Sequence, residues 1–298
     1  LERIAAFLLE EPLWYSAALK QFLKQGLSYP DARARAISTA ACREAGTHTF
    51  SEDCASILCS PNNILGIDYI KEIIKRKSRL IPFTIKRIGA GYHDDAISSA
   101  VSGVSLPSPV SALAIRRTLQ EGESAASIRP HMPREAALLL ESCLAQNRAV
   151  YADDLSGILY YKLLTEREQG YEAYLDVSRD LSNRILGSLN RFTGFQAFCD
   201  LLKTKAFTHT RISRCLLHIL LGIKKTDMEY GRALDYIPYA RVLGFRRSAA
   251  PLLGQIKNCS SVPLITKAAD TKKSLPPEAD RLWELDILTS EIYKGIAY

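Results

Sequence analysis

The chain has 298 residues, room for two ordinary domains. Apolar residues make up 47% and charged residues 24%, which excludes a disordered or low-complexity chain and fits globular domains with buried cores. The net charge is +7, and no stretch approaches the roughly 18 uninterrupted apolar residues of a membrane helix; the longest run, Cys215 to Ile223, is broken by His218.

The chain opens on Leu1-Glu2-Arg3-Ile4-Ala5-Ala6-Phe7-Leu8-Leu9, with no Met. This reads as the interior of an amphipathic helix, so native sequence before Leu1 is expected to be missing. Pro12 suits the first turn of a following helix, with Trp14, Ala17, Ala18 and Phe22 at helical spacing and Gly26 as its stop. Pro30 opens another, with Ala36, Ile37, Ala40 and Ala41 inward and Gly46 at its end. At Ser60-Pro61-Asn62-Asn63 either asparagine can cap a helix whose Ile67, Ile70 and Ile74 share a face. Lys75, Arg76 and Lys77 are expected in its last turn, where cations suit the dipole. After Pro82, Phe83-Thr84-Ile85-Lys86-Arg87 alternates as a strand does. A loop from Gly89 to Asp95 and a longer Ser-, Gly- and Pro-rich one from Ser98 to Pro109 follow. A helix starts at Ser111 and stops at Gly122, and from Pro133 to about Leu221 the pattern is one helix after another. Near the end, 240–244 and 262–266 read as strands with a helix between them, a small βαβ unit.

Seven cysteines (Cys42, Cys54, Cys59, Cys143, Cys199, Cys215, Cys259) form no CxxC pair, and the five histidines are scattered. No protein metal site is expected; the thiols read as reduced, small hydrophobes of a cytoplasmic protein. The excess charge is concentrated between Lys203 and Lys257, where Lys203, Lys205, Arg211, Arg214, Lys224, Lys225, Arg232, Arg241, Arg246, Arg247 and Lys257 face only Asp227, Glu229 and Asp235. Clustered cations of this kind suit a polyanion, because they release counterions from phosphates.

Three features suit a nucleotide. Asn62 stands at a helix start, where side-chain amides and free N–H groups can meet a ligand. Arg87, beside Lys86, ends the candidate strand, the usual ligand edge of an open α/β sheet. Ser111 and Arg116 combine a hydroxyl, a helix N-terminus and a guanidinium, which together suit a phosphate. Asp94-Asp95 could help place a metal on the nucleotide, although a solvated loop is the plainer reading, and Asp153-Asp154 reads as a helix cap. No catalytic triad is legible, and catalytic residues are not assigned.

The segment Lys203 to Arg214 mixes cations, hydroxyls and aromatic groups. Arg211, Arg214 and His218 share one helix face, opposite a core face of Ile212, Leu216, Ile219 and Leu220. Lys203, Lys205, Thr208, Arg211 and Arg214 suit positioning contacts to phosphates. Phe207 or His209 could stack on a base; for Phe207 and His218 the core reading is preferred.

Several blocks together resemble one family. They are Ser60 to Tyr69 (SPNNILGIDY), Thr84 to Asp94 (TIKRIGAGYHD), Lys203 to Arg214 (KTKAFTHTRISR), Tyr239 to Phe245 (YARVLGF) and Pro263 to Lys267 (PLITK), with Leu181 to Ile185 and Asp286 to Tyr293 also in line. They are similar to the bacterial tRNA(Met) cytidine acetate ligases, in the HIGH-type nucleotidyltransferase superfamily, collinearly over nearly the whole chain. The resemblance implies an α/β plus α fold: an incomplete Rossmann-like nucleotidyltransferase domain with a helical insertion over 1–125, then a basic, mainly helical tRNA-binding domain with the βαβ unit over 126–298. It implies ATP, as a Mg2+ complex, activating acetate to acetyl-adenylate, and transfer of the acetyl group to N4 of the wobble cytidine of elongator tRNA(Met). Asn62, Ser111, Arg116 and Arg87 would then contact ATP, and Lys203, Lys205, Thr208, Arg211, Arg214, Arg241 and Lys267 the tRNA. No His-x-Gly-His occurs in the chain, and Leu113 stands where a hydroxyl residue is usual. A non-catalytic RNA-binding relative is the alternative, and another adenylyl transfer onto a small molecule is a third reading.

Overall fold

The computed structural model describes residues 1–27, 29–41, 57–58, 60–85, 110–146 and 148–297. The chain forms two compact units, Leu1–Ala137 and Leu138–Tyr298.

Among its described residues the first unit is helical. Helices α1 (Glu2–Glu10), α2 (Leu13–Lys24), α3 (Tyr29–Ala41) and α4 (Pro61–Lys75) are followed by α5 (Ala112–Gln120) and the single turn α6 (Ala125–Ile128). α1 packs on α4, and α2 on α3. The apolar stripes meet in one core: Ile4, Ala5 and Leu8, Tyr15, Ala36 and Ile37, Leu58, Ile67 and Ile70. The punctuation expected from sequence is in place. Pro12 is the residue before α2, and Gly26 and Gly122 take positive φ just beyond α2 and α5, a conformation that costs a residue without Cβ little.

Three expectations here need correction. Neither Asn62 nor Asn63 caps α4; Ser60 occupies that position without a side-chain hydrogen bond, and Pro61 takes N1, which moves both asparagines inside the first turn. α4 ends at Lys75, so Arg76 and Lys77 lie just past it. The segment Phe83-Thr84-Ile85 is not a strand, and Phe83 and Ile85 stand 87% and 88% exposed. Its alternation is real, but a strand exists only as part of a ladder, and no described segment pairs with it. Lys86, Arg87, Gly46, the loops over Gly89 to Asp95 and Ser98 to Pro109, and Cys42, Cys54 and Cys59 lie outside the described residues.

The second unit holds two cores. Its helices are α7 (Arg134–Ala145, which begins in the first unit), α8 (Ser156–Thr165), α9 (Arg179–Leu186), α10 (Phe195–Leu202), α11 (His209–Leu221), α12 (Lys225–Ala233), α13 (Ala250–Cys259), the turn α14 (Thr271–Ser274) and α15 (Pro277–Ala297). α8 to α11 enclose the larger core, with Leu159, Leu163, Tyr171, Phe198, Ile212 and Leu216 wholly buried. Asp154 caps a short 3-10 turn by accepting from the Tyr151 N–H at 2.7 Å. Its neighbour Asp153 does something less local. The residue before α10 is Gly194, which has no side chain to cap with, and Asp153 Oδ1 and Ser156 Oγ accept from the Gln196 and Phe195 N–H groups instead, each at 2.9 Å.

The smaller core joins Ile265, Leu275, Ala279 and Trp283 with Leu234, Tyr239 and Ile287. It carries the parallel pair β1 (Ala240–Arg241) and β2 (Leu264–Ile265), in register Ala240 to Leu264 and Arg241 to Ile265. α13 is the crossover that parallel pairing requires. The expected βαβ unit is therefore present, with shorter strands than the sequence pattern suggested.

Candidate nucleic-acid interface

α11 is built to hold one face fixed. Thr208 caps it, its side chain accepting from the Arg211 N–H, and Gly222 closes it in the left-handed conformation. Ile212, Cys215, Leu216 and Ile219 anchor the buried side. Before it, Thr204 folds a tight turn, its Oγ1 accepting from the Ala206 and Phe207 N–H groups at 3.2 and 3.0 Å.

The cations on the other face are not loose. The Arg211 guanidinium lies over the Phe207 ring at 5.1 Å. Phe207 is half-buried against the larger core, so its ring is a support for Arg211 rather than an open stacking surface. Arg214 Nε donates to Asp176 Oδ2 at 2.9 Å, with both side chains partly exposed. Asp176 was not singled out from sequence. It takes a positive φ of 63°, and its carbonyl accepts from the Cys215 thiol at 3.4 Å. His218 is 14% exposed and donates through Nδ1 to the Leu175 carbonyl at 2.9 Å, which fits the satisfied, structural histidine expected. His209 Nε2 stands 3.8 Å from Asp200 Oδ1. Lys203 and Lys205 are exposed on either side of the Thr204 turn, and neither has an ion pair among the described residues.

The cysteine thiols here are inert. Burial, with Asp200 and Asp153 nearby, pushes Cys199 up to about 12, and burial followed by Asp176 raises Cys215. Among the described residues no group of three or more His, Cys, Asp or Glu is placed to hold a metal ion, and no helix is long and apolar enough to cross a membrane.

Arg241 sits in the other core. Its guanidinium lies 5.1 Å from the Trp283 ring centroid, and Nη1 is 3.9 Å from Asp286 Oδ2. The same carboxylate accepts from the Tyr239 hydroxyl at 2.8 Å. Lys267 is exposed just after β2. A further ion pair ties the end of α11 to α15: Arg281 Nε donates to Asp227 Oδ1 at 3.0 Å and Nη2 to the Gly222 carbonyl at 3.2 Å, while Asp227 also accepts from the Lys224 N–H.

In the first unit, Asn62 is exposed in the first turn of α4. Ser111 is 4% exposed and caps α5, accepting from the Ala114 N–H at 3.0 Å. Arg116 is exposed one turn further on. The fourth residue of this set, Arg87, lies outside the described residues.

A model of the family described as HIGH nucleotidyl transferase matches residues 1–298, which sets the class. The chain is 33% identical to the tRNA(Met) cytidine acetate ligase of Acetivibrio thermocellus, the match covering 98% of the chain and 68% of that protein. With the ligase of the same name from Clostridium novyi it shares 32%, over 99% of the chain and 68% of the relative. The chain therefore belongs to the tRNA(Met) cytidine acetate ligase family of the HIGH nucleotidyl transferases. It is similar in fold to crystal structures of Thermotoga maritima TmcAL, with a TM-score of 0.81 to an apo form (99% of this chain, 69% of that one) and 0.79 to a form bound with alpha-thio ATP (99% and 68%), each at 24% identity. A helix-rich chain with, among the described residues, one small parallel sheet fits part of a Rossmann-like nucleotidyltransferase domain followed by a helical part.

Proposed function

We propose that this protein activates acetate with ATP and transfers the acetyl group to N4 of the wobble cytidine of elongator tRNA(Met), and that it acts in the cytoplasm. The observation that carries the reading is identity of about a third to ligases of that name along nearly the whole chain. The basic, pre-shaped face of α11 gives the polyanion a place to sit.

The chemistry runs in two displacements. An acetate oxygen attacks the α-phosphorus of ATP, the bond to the bridging oxygen breaks, and pyrophosphate leaves. The cytidine N4 then attacks the carbonyl carbon of acetyl-adenylate, AMP leaves, and the nitrogen loses a proton. No protein nucleophile is needed; cations and helix N-termini stabilise the phosphoryl charge, and the tRNA face positions the amine. In this reading Asn62, Ser111, Arg116 and Arg87 contact ATP, and Lys203, Lys205, Thr208, Arg211, Arg214, Arg241 and Lys267 contact tRNA. Magnesium would travel on the nucleotide phosphates.

The test is incubation of the protein with ATP, acetate and bulk bacterial tRNA, digestion of the RNA, and mass spectrometry for N4-acetylcytidine. Product that depends on both ATP and acetate supports the reaction. Bound tRNA without product favours the RNA-binding alternative. Arg211→Glu or Arg214→Glu is expected to weaken tRNA binding while leaving acetyl-adenylate formation intact.

A further inference from the structure

From Tyr236 to Ala269 the chain contains Arg241, Arg246, Arg247, Lys257 and Lys267 and not one Asp or Glu. The fold gathers part of this charge at one edge. β1 and β2 are parallel and in register, and the Val242 N–H donates to the Ile265 carbonyl at 2.9 Å. Both strands therefore release their chains at the same end. Beyond β1 come Leu243, Phe245, Arg246 and Arg247, and beyond β2 comes Lys267. The carboxyl ends of parallel strands are where open α/β sheets present their ligand sites.

The side chains at this edge point to a particular occupant. Leu243 is 86% and Phe245 54% exposed. Arg246, Arg247 and Lys267 are exposed, and none has an ion pair among the described residues. Arg241 is engaged by Trp283 and by Asp286. An exposed ring set among cations in an acid-free stretch complements a polyanion that also offers a flat apolar face. An RNA duplex shows mainly its sugars and phosphates to such a surface, so the ring would be idle against it; an unpaired nucleotide offers base and phosphate together.

We propose that this edge binds an unpaired nucleotide of the tRNA, its base stacked on Phe245 and its flanking phosphates on Arg246, Arg247 and Lys267. The proposal rests on the tRNA-binding reading and adds to it a contact that recognises single-stranded RNA.

The test uses the full chain and an elongator tRNA(Met) transcript, with dissociation constants measured across a salt series. Phe245→Leu keeps the apolar bulk and removes the ring; it is expected to weaken binding about tenfold, since stacking does not depend on the kind of base. Its salt slope should match that of wild type, because no phosphate contact is lost. Phe245→Tyr should restore affinity. Arg246→Ala with Arg247→Ala should flatten the slope by roughly 1.4, the counterions of two single-strand phosphates. Thermal unfolding of each variant checks the fold, which exposed positions should leave unchanged. If wild type binds and Phe245→Leu binds equally well, this inference falls and the tRNA reading stands. If wild type binds no tRNA, both fall. If Phe245→Leu instead turns a dimer into a monomer on sedimentation with tRNA affinity unchanged, the patch is a contact between copies and the proposal is overturned.

Discussion

Asp176 offers a direct test of the α11 face, because it is the negative charge on a surface proposed to hold RNA. Its Oδ2 accepts from Arg214 Nε at 2.9 Å and lies 3.9 Å from His218 Nδ1. Asp176→Asn removes the charge and keeps an oxygen that can accept from Arg214. Asparagine also tolerates the positive φ at this position, whereas alanine would add roughly 1 kcal/mol of backbone strain. The main-chain contacts to Cys215 and His218 use the Asp176 and Leu175 carbonyls and are untouched. A phosphate on the outer edge of the Arg214 guanidinium would stand roughly 6 Å from the carboxylate; in water that repulsion is about 0.7 kcal/mol, a factor of about three. Asp176→Asn is therefore expected to tighten tRNA binding about threefold at low salt, and the gain should fade as the Debye length shrinks below that separation. Fluorescence anisotropy with labelled tRNA across a salt series reads both effects. Equal or weaker binding at low salt would refute the placement of RNA phosphates on Arg214.

Three further outcomes follow from the packing. Thr208→Ala removes the cap of α11 and is expected to cost about 1 kcal/mol in urea unfolding, with tRNA affinity falling alongside as the first turn frays. With iodoacetamide at pH 8, exposed Cys259 should react while Cys199 and Cys215 stay unmodified until the protein unfolds, since both are buried and their thiols are held protonated; prompt labelling of either, seen by mass spectrometry, would contradict the packing. Burial, with Glu166 close by, pushes Tyr171 up to about 12. Below pH 10 folded and unfolded states both keep the proton; between about 10 and 12 only the unfolded state loses it, so this contribution to stability drains as pH rises through that window. Tyr171→Phe loses the hydrogen bond to the Leu163 carbonyl and should be about 1–3 kcal/mol less stable at pH 8. That deficit should narrow at pH 11, and a constant deficit in urea titrations would count against the mechanism.

What could be read ahead of the structure was whatever is decided within a few residues. Pro12, Gly26 and Ser111 act through their own φ or their own cap, and each sits at the helix end its chemistry suits. The helix faces of α4 and α11 follow from 3.6-residue spacing, and so do their buried isoleucines. What stayed hidden depends on residues far apart in the chain. Asp153 caps a helix that begins more than forty residues later, a role no local pattern encodes. Asn62 and Asn63 have capping chemistry, but Pro61 fixes the helix start one residue too early for them to use it. Phe83 to Ile85 alternates correctly and still forms no strand among the described residues, because pairing is a property of two segments and not of one. On the candidate interface, charge was legible and engagement was not: nothing in the sequence tells that Arg214 is shared with Asp176 or that Arg241 rests on Trp283.

That difference in engagement separates the candidate cations by role. An arginine already laid on a ring or a carboxylate has lost rotamer freedom on folding, so a phosphate that meets it has less entropy to remove. Arg211 on Phe207 and Arg214 on Asp176 are such groups, and both keep a solvent-facing side, as an oriented phosphate contact requires. Lys203 and Lys205 are exposed and unpaired among the described residues, which suits long-range attraction better than orientation. Arg241 is more fully engaged, its side chain only 31% exposed between Trp283 and Asp286. Its truncation would strip a ring of its cation and leave Asp286 with Tyr239 alone, so a fall in tRNA binding in that variant would not by itself identify a phosphate contact. Arg246 and Arg247, exposed on the same edge, carry no such structural duty, and their removal is the cleaner measure of what the sheet edge contributes.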